Sequence, residues 1–119
     1  MSDYIEDFEL TPYVPEVIKK SKKSPLEKKV EERLRVKVKA MGGYSWKFVS
    51  PNNRGVSDRV VIYKGRVIFV EVKRDKGKMT ALQQTFRERV FSHGGEFTCV
   101  YGFDGVDGFI EKLKEGAEL

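Results

Sequence analysis

Two runs of β-branched and aromatic residues, Asp58 to Tyr63 and Arg66 to Lys73, flank a Lys64-Gly65 pair. That arrangement predicts two antiparallel strands folded back through a tight turn. A two-residue loop sets Tyr63 opposite Arg66, and counting outward brings Asp58 opposite Glu71. A four-residue loop keeps this register, whereas a three-residue loop breaks it. Side chains alternate along a strand, so one face carries Asp58, Val60, Ile62, Val67, Phe69, Glu71 and Lys73. Two carboxylates opposed at about 5 Å repel by roughly 3 kcal/mol at an effective dielectric near 20, more than the ~0.2–1 kcal/mol of a favourable cross-strand pair. A positive charge is therefore expected between them. Lys73 lies one step further along that face, but an ammonium uses less of the oxygen geometry than a divalent cation such as magnesium would. The plainer alternative is that Asp58 only opens the strand after the turn-forming run of Asn52, Asn53, Arg54 and Gly55, with Glu71 and Lys73 as solvated surface charges.

The chain's 119 residues suffice for one domain. Its formal charge of +5 and pI near 9.3 favour an anionic partner. No apolar run approaches a membrane span and no signal-peptide pattern opens the chain, so a soluble cytoplasmic protein without membrane partners is expected. The single cysteine, Cys99, lies in a predicted strand and reads as a small core residue. His93 has no second His or Cys near it, which argues against a soft-metal site.

Taken in order, residues 1–23 form an arm. It is acidic at first, with Asp3, Glu6, Asp7, Glu9 and Glu16, and then Lys-rich, with Lys19, Lys20, Lys22 and Lys23. The lysines suit either a solvated linker or a phosphate-contacting tail. Ser24, Pro25 and Glu27 signal a helix start with a capping box. Leu26, Val30, Leu34, Val38 and Met41 then recur at helical spacing up to Gly42-Gly43. Residues 44–49 alternate as a first strand. After the hairpin comes a charged loop at 74–78, then a second helix capped by Thr80 with Gln83 completing a box. Leu82, Phe86, Val90 and Phe91 form the expected buried side of that helix. A fourth strand at 96–101 should lie parallel to the hairpin's second strand through a right-handed crossover. Residues 104–114 form a closing helix, and 116–119 a tail. The fold class is thus α/β: an αβββαβ core with a mixed sheet between helices and a domain over residues 24–115.

Gly55-Val-Ser-Asp58 followed by Glu71-Val-Lys73, Gly77 and Gln83 resembles the VRR-NUC family, a branch of the PD-(D/E)XK nucleases. The resemblance extends from about Ser24 to Phe109 and implies a restriction-endonuclease-like fold. It also implies metal-dependent hydrolysis of DNA phosphodiesters with Mg2+ or Mn2+. Asp58, Glu71 and the backbone carbonyl of Val72 would be metal ligands, joined by Glu27 from the first helix, with Glu31 as the alternative acid one turn on. Lys73 would orient or help deprotonate the attacking water and stabilise negative charge on the phosphate. Gln83 would face the same site. The family usually has Pro before the Asp, and Ser57 stands here; proline at that point shapes the strand entry and does no chemistry. DNA-contacting candidates are Lys19, Lys20, Lys22, Lys23, Lys47, Arg54, Arg74, Lys76 and Lys78. No base-reading motif is present, so recognition by backbone shape is expected.

Small family members resemble Holliday-junction resolvases, which implies branched DNA as substrate and a homodimer. The setting implied is a bacterial or phage-infected host cell. A nonspecific or flap-directed nuclease and a noncatalytic nucleic-acid-binding module are the alternatives.

Overall fold

The computed structural model describes residues 23–50 and 55–119. Lys19, Lys20, Lys22, Arg54 and residues 1–22 in general lie outside the described residues. Helix α1 spans Pro25–Ala40, β1 Tyr44–Lys47, β2 Arg59–Tyr63, β3 Arg66–Lys73, α2 Ala81–Ser92, β4 Glu96–Tyr101 and α3 Gly102–Glu115. The sheet order is β1-β2-β3-β4, with β3 and β4 parallel and the other neighbours antiparallel. This is the mixed sheet and the αβββαβ core expected from the sequence, closed by α3.

The hairpin turn has the predicted register. Tyr63 pairs with Arg66 and Arg59 with Val70, which carries Asp58 to the level of Glu71 just beyond the last paired residues. Lys64 and Gly65 both take positive φ, +49° and +82°. A two-residue loop needs that conformation to match the right-handed twist of its strands.

The two faces of the sheet are covered unequally. On one face Val61, Ile68, Val70, Val72 and Val100 pack against Val30, Leu34 and Val38 of α1 and Val106, Phe109, Ile110 and Leu113 of α3. On the other face lies α2, none of whose residues is buried. Phe86 is its anchor, meeting the rings of Phe69, Phe97 and Phe48. Leu82 and Phe91, expected to be buried, are 55% and 53% exposed because one helix covers only part of a four-stranded face.

Two smaller corrections follow from the ends of elements. The first strand stops at Lys47, two residues short of expectation. Leu26 is 56% exposed, since the first turn of α1 sits beside polar residues at the end of the sheet and not over its apolar face. Among the described residues no helix is long and apolar enough to cross a membrane.

Candidate active site

Asp58 precedes β2, and its position is fixed from two sides. Its carbonyl accepts from the Phe48 N–H at 2.9 Å, and its Oδ2 accepts from the Val72 N–H at 2.8 Å. The second bond takes up a main-chain donor of β3 left over where β2 ends. The N–H and C=O of a strand residue point to the same side, so the Val72 carbonyl is directed to that same edge. Before Asp58, the loop packs tightly on α2: a Cβ added to Gly55 would run into the Leu82 carbonyl oxygen. Glycine is required there by close approach.

Glu71 is 1% exposed. Its Oε2 accepts from Gln83 Nε2 at 2.8 Å and lies 3.7 Å from Lys73 Nζ. Gln83 at the same time accepts the Thr80 N–H at 2.8 Å through Oε1, while the Thr80 hydroxyl accepts from the Gln83 N–H at 3.2 Å. The capping role and the site-facing role read from the sequence are thus held by one amide, and the cap fixes the end of α2 that reaches the carboxylate.

The residue just before the cap of the first helix adds a group to the site. Lys23, assigned on sequence to a phosphate-contacting tail, is 17% exposed, with Nζ 2.9 Å from Asp58 Oδ1 and 4.0 Å from Glu27 Oε2. Glu27 therefore approaches the site across Lys23. Glu31 is buried and accepts from Arg59 Nη1 at 2.8 Å, with Lys47 Nζ 3.7 Å away. Its carboxylate joins α1 to β2, the use its burial favours. Lys47, Arg74, Lys76 and Lys78 are exposed. Lys23 carried no sequence signal for this place, because only the fold brings residue 23 against residue 58.

Crowding two carboxylates produces opposite shifts. Burial pushes Glu71 up, the charge and hydrogen bond of Asp58 add to it, and Lys73 and Lys23 offset only part, leaving the carboxyl at about 8. Burial also disfavours the charge on Asp58, but its hydrogen bond with Glu71, the Lys23 ammonium and the Val72 N–H outweigh that and hold it below the usual range. Without metal the pair shares one proton near neutrality. Cys99, beside Glu71 on β4, is half-buried, and its thiol is pushed up to about 11, chiefly by burial.

Glu71 Oε1 is buried without a hydrogen-bond partner, the one such side-chain atom among the described residues. A buried oxygen in that condition calls for a cation or donor. The available donors, two carboxylates and the Val72 carbonyl, are hard oxygens of the kind magnesium and manganese take. Among the described residues no three His, Cys, Asp or Glu side chains gather as a metal cluster.

No family model matches the chain. A protein of Acyrthosiphon pisum secondary endosymbiont phage 1 named "Putative nuclease p44" is 42% identical over 69 residues, covering 57% of this chain and 74% of the relative. A solved structure titled "VRR_NUC domain" superposes with a TM-score of 0.69 at 27% identity, over 74% of this chain and 97% of that one.

Proposed function

Since the chain belongs to the VRR-NUC family of nucleases, we propose that it is a metal-dependent endonuclease cutting phosphodiesters of branched DNA as a homodimer. The observation that carries this reading is the buried Asp58–Glu71 pair with its unpartnered Glu71 oxygen. Asp58, Glu71 and the Val72 carbonyl would hold the divalent ion, with Glu27 joining if Lys23 withdraws. When bound, the ion supplies Lewis-acid neutralisation of the phosphate charge that otherwise repels a nucleophile.

The chain's own groups do the rest. Gln83 keeps Glu71 turned toward the site, and the Val72 N–H keeps Asp58 there. The Lys73 ammonium, 12% exposed, orients the attacking water and meets negative charge developing on the phosphate. Lys47, Arg74, Lys76 and Lys78, all exposed, hold the DNA backbone.

The test is a panel of four-way junction, flap, nicked and linear duplex DNA, each with magnesium, manganese or chelator. Cleavage should require metal and favour the junction, and Glu71→Ala and Lys73→Ala should each lose about a hundredfold or more in rate. DNA that is bound but never cut with either metal would indicate a noncatalytic binding module. Equal cutting of linear duplex and junction would indicate a nonspecific nuclease, and preferred cutting of flaps a flap-directed one. Sedimentation showing a fully active monomer would remove the dimer.

A further inference from the structure

The sheet face that carries Glu71 is only partly roofed. Phe86 of α2 covers it around Phe69 and Phe97, but toward β1 it continues in the open. Tyr44 is 64% and Trp46 52% exposed. Tyr44 pairs with Ile62 and Trp46 with Val60, which in turn opposes Phe69, so both rings stand on the Glu71 face. Phe48, next on that face, donates its N–H to the Asp58 carbonyl. Trp46 therefore stands two residues, roughly 7 Å of strand, from a residue bonded to the main chain of Asp58.

The two exposed rings are stacked on each other, 5.3 Å apart between centroids and 9° from parallel. Scattered apolar residues on a surface are ordinary. An ordered column of two rings, open to solvent at a sheet edge, presents a face to which a third flat ring can add. The position of the column selects the kind of ring. It stands on the sheet face of the proposed phosphodiester-cutting carboxylates, in a chain of net charge +5, so a nucleic acid drawn to those carboxylates reaches it. Lys47, the next residue, turns to the α1 side of the sheet, where its Nζ lies 3.7 Å from Glu31. Exposed aromatic faces beside a backbone-binding site are a means by which single-stranded nucleic acid is held, each ring stacking on a base.

Resting on the nuclease reading above, we propose that Tyr44 and Trp46 form a stacking platform for an unpaired nucleobase. Bases in a continuous duplex are already stacked within it and offer no face to this pair. The platform therefore favours DNA in which a single-stranded segment adjoins the part being cut, as in a flap, a fork, a gap or an opened junction.

Trp46 is the sole tryptophan of the chain, so its emission reports on the platform directly. The full-length protein is titrated in chelator with oligothymidine and, separately, with a fully paired duplex, so that binding is read without cleavage. Oligothymidine should quench Trp46 saturably. Read by the anisotropy of a labelled oligonucleotide, which needs no tryptophan, Tyr44→Ala and Trp46→Leu should each weaken single-strand binding about tenfold, Trp46→Phe should retain most of it, and duplex affinity should change by less than about twofold. Circular dichroism melts check that the variants fold.

Oligothymidine bound with unchanged Trp46 emission overturns the proposal, as does equal loss on single strand and duplex. Emission that shifts with protein concentration in step with self-association, before DNA is added, gives the rings to a second copy and also overturns it. Quenching without cleavage of any substrate in magnesium keeps the platform and removes the nuclease reading; cleavage without quenching does the reverse.

Discussion

Glu71 holds a proton in the folded, metal-free protein that it would release in the unfolded chain. Its folded value of about 8 lies above the ordinary glutamate value of 4.5, so the folded state binds more protons between those two values. Stability from this group is therefore full below about pH 4.5, declines as pH rises toward 8, and is gone above it. Asp58 is shifted the other way; its contribution is lost only as pH falls below its ordinary range and leaves this window alone. In chelator, the melting temperature should fall between pH 5 and 8 by an amount that Glu71→Gln removes. Magnesium should flatten the same slope, because it binds the deprotonated pair. A Glu71→Gln variant that keeps the wild-type slope would show that the proton resides elsewhere. Asp58, Glu71 and Lys73 were legible as a group because strand alternation places them on one face, whereas the capping box located Gln83 only at a helix start and the family resemblance alone brought it to the site. Lys23 was not legible there, since its contact with Asp58 joins positions 35 residues apart in the chain.

Among the elements, α1 is fastened to the sheet by a buried ion pair as well as by its apolar stripe. Glu31 accepts from Arg59, which also donates to Ser45 at 2.6 Å and so links α1, β2 and β1. Removing one partner leaves the other charge buried, so Glu31→Gln should cost about 3–5 kcal/mol in denaturant unfolding, and replacing both by apolar residues of similar volume should cost less. Leu34, with no exposed surface, should lose about 2–5 kcal/mol on Leu34→Ala. Gly55→Ala should act differently, because the added methyl meets the backbone of α2 at Leu82. It should lower cleavage more than it lowers stability, since the loop it displaces leads straight to Asp58; a large loss of stability with the catalytic rate preserved would argue against that. The hairpin register could be read ahead of the structure because Gly65 permits the positive φ its turn requires. The packing of α2 could not. Leu82, Phe86, Val90 and Phe91 have the spacing of a buried side, but spacing does not reveal how much sheet one helix must cover.

At the scale of the molecule, an excess of five positive charges matters only where carboxylates do not already absorb it. On the side of the core, much is absorbed: Arg33 and Lys37 share Asp107, Arg35 pairs with Glu32, and Arg66 with Glu96. Past the end of β3, Arg74, Lys76 and Lys78 are exposed, and among the described residues none of them pairs with a carboxylate. The turn that carries them joins the strand holding Glu71 and Lys73 to the helix holding Gln83, so a polyanion drawn there arrives at the carboxylates. Each phosphate neutralised releases counterions, and duplex affinity should fall with salt at a logarithmic slope of about −0.9 per contact. Neutralising Arg74, Lys76 and Lys78 together should reduce that slope by up to about 3. Trp46→Leu should lower single-strand affinity and leave the slope unchanged, because stacking releases few ions. Binding isotherms across a salt series separate the two contributions. A triple variant with the wild-type slope would place the phosphate contacts elsewhere on the chain, and a Trp46→Leu variant with a shallower slope would make that ring's effect electrostatic and not stacking.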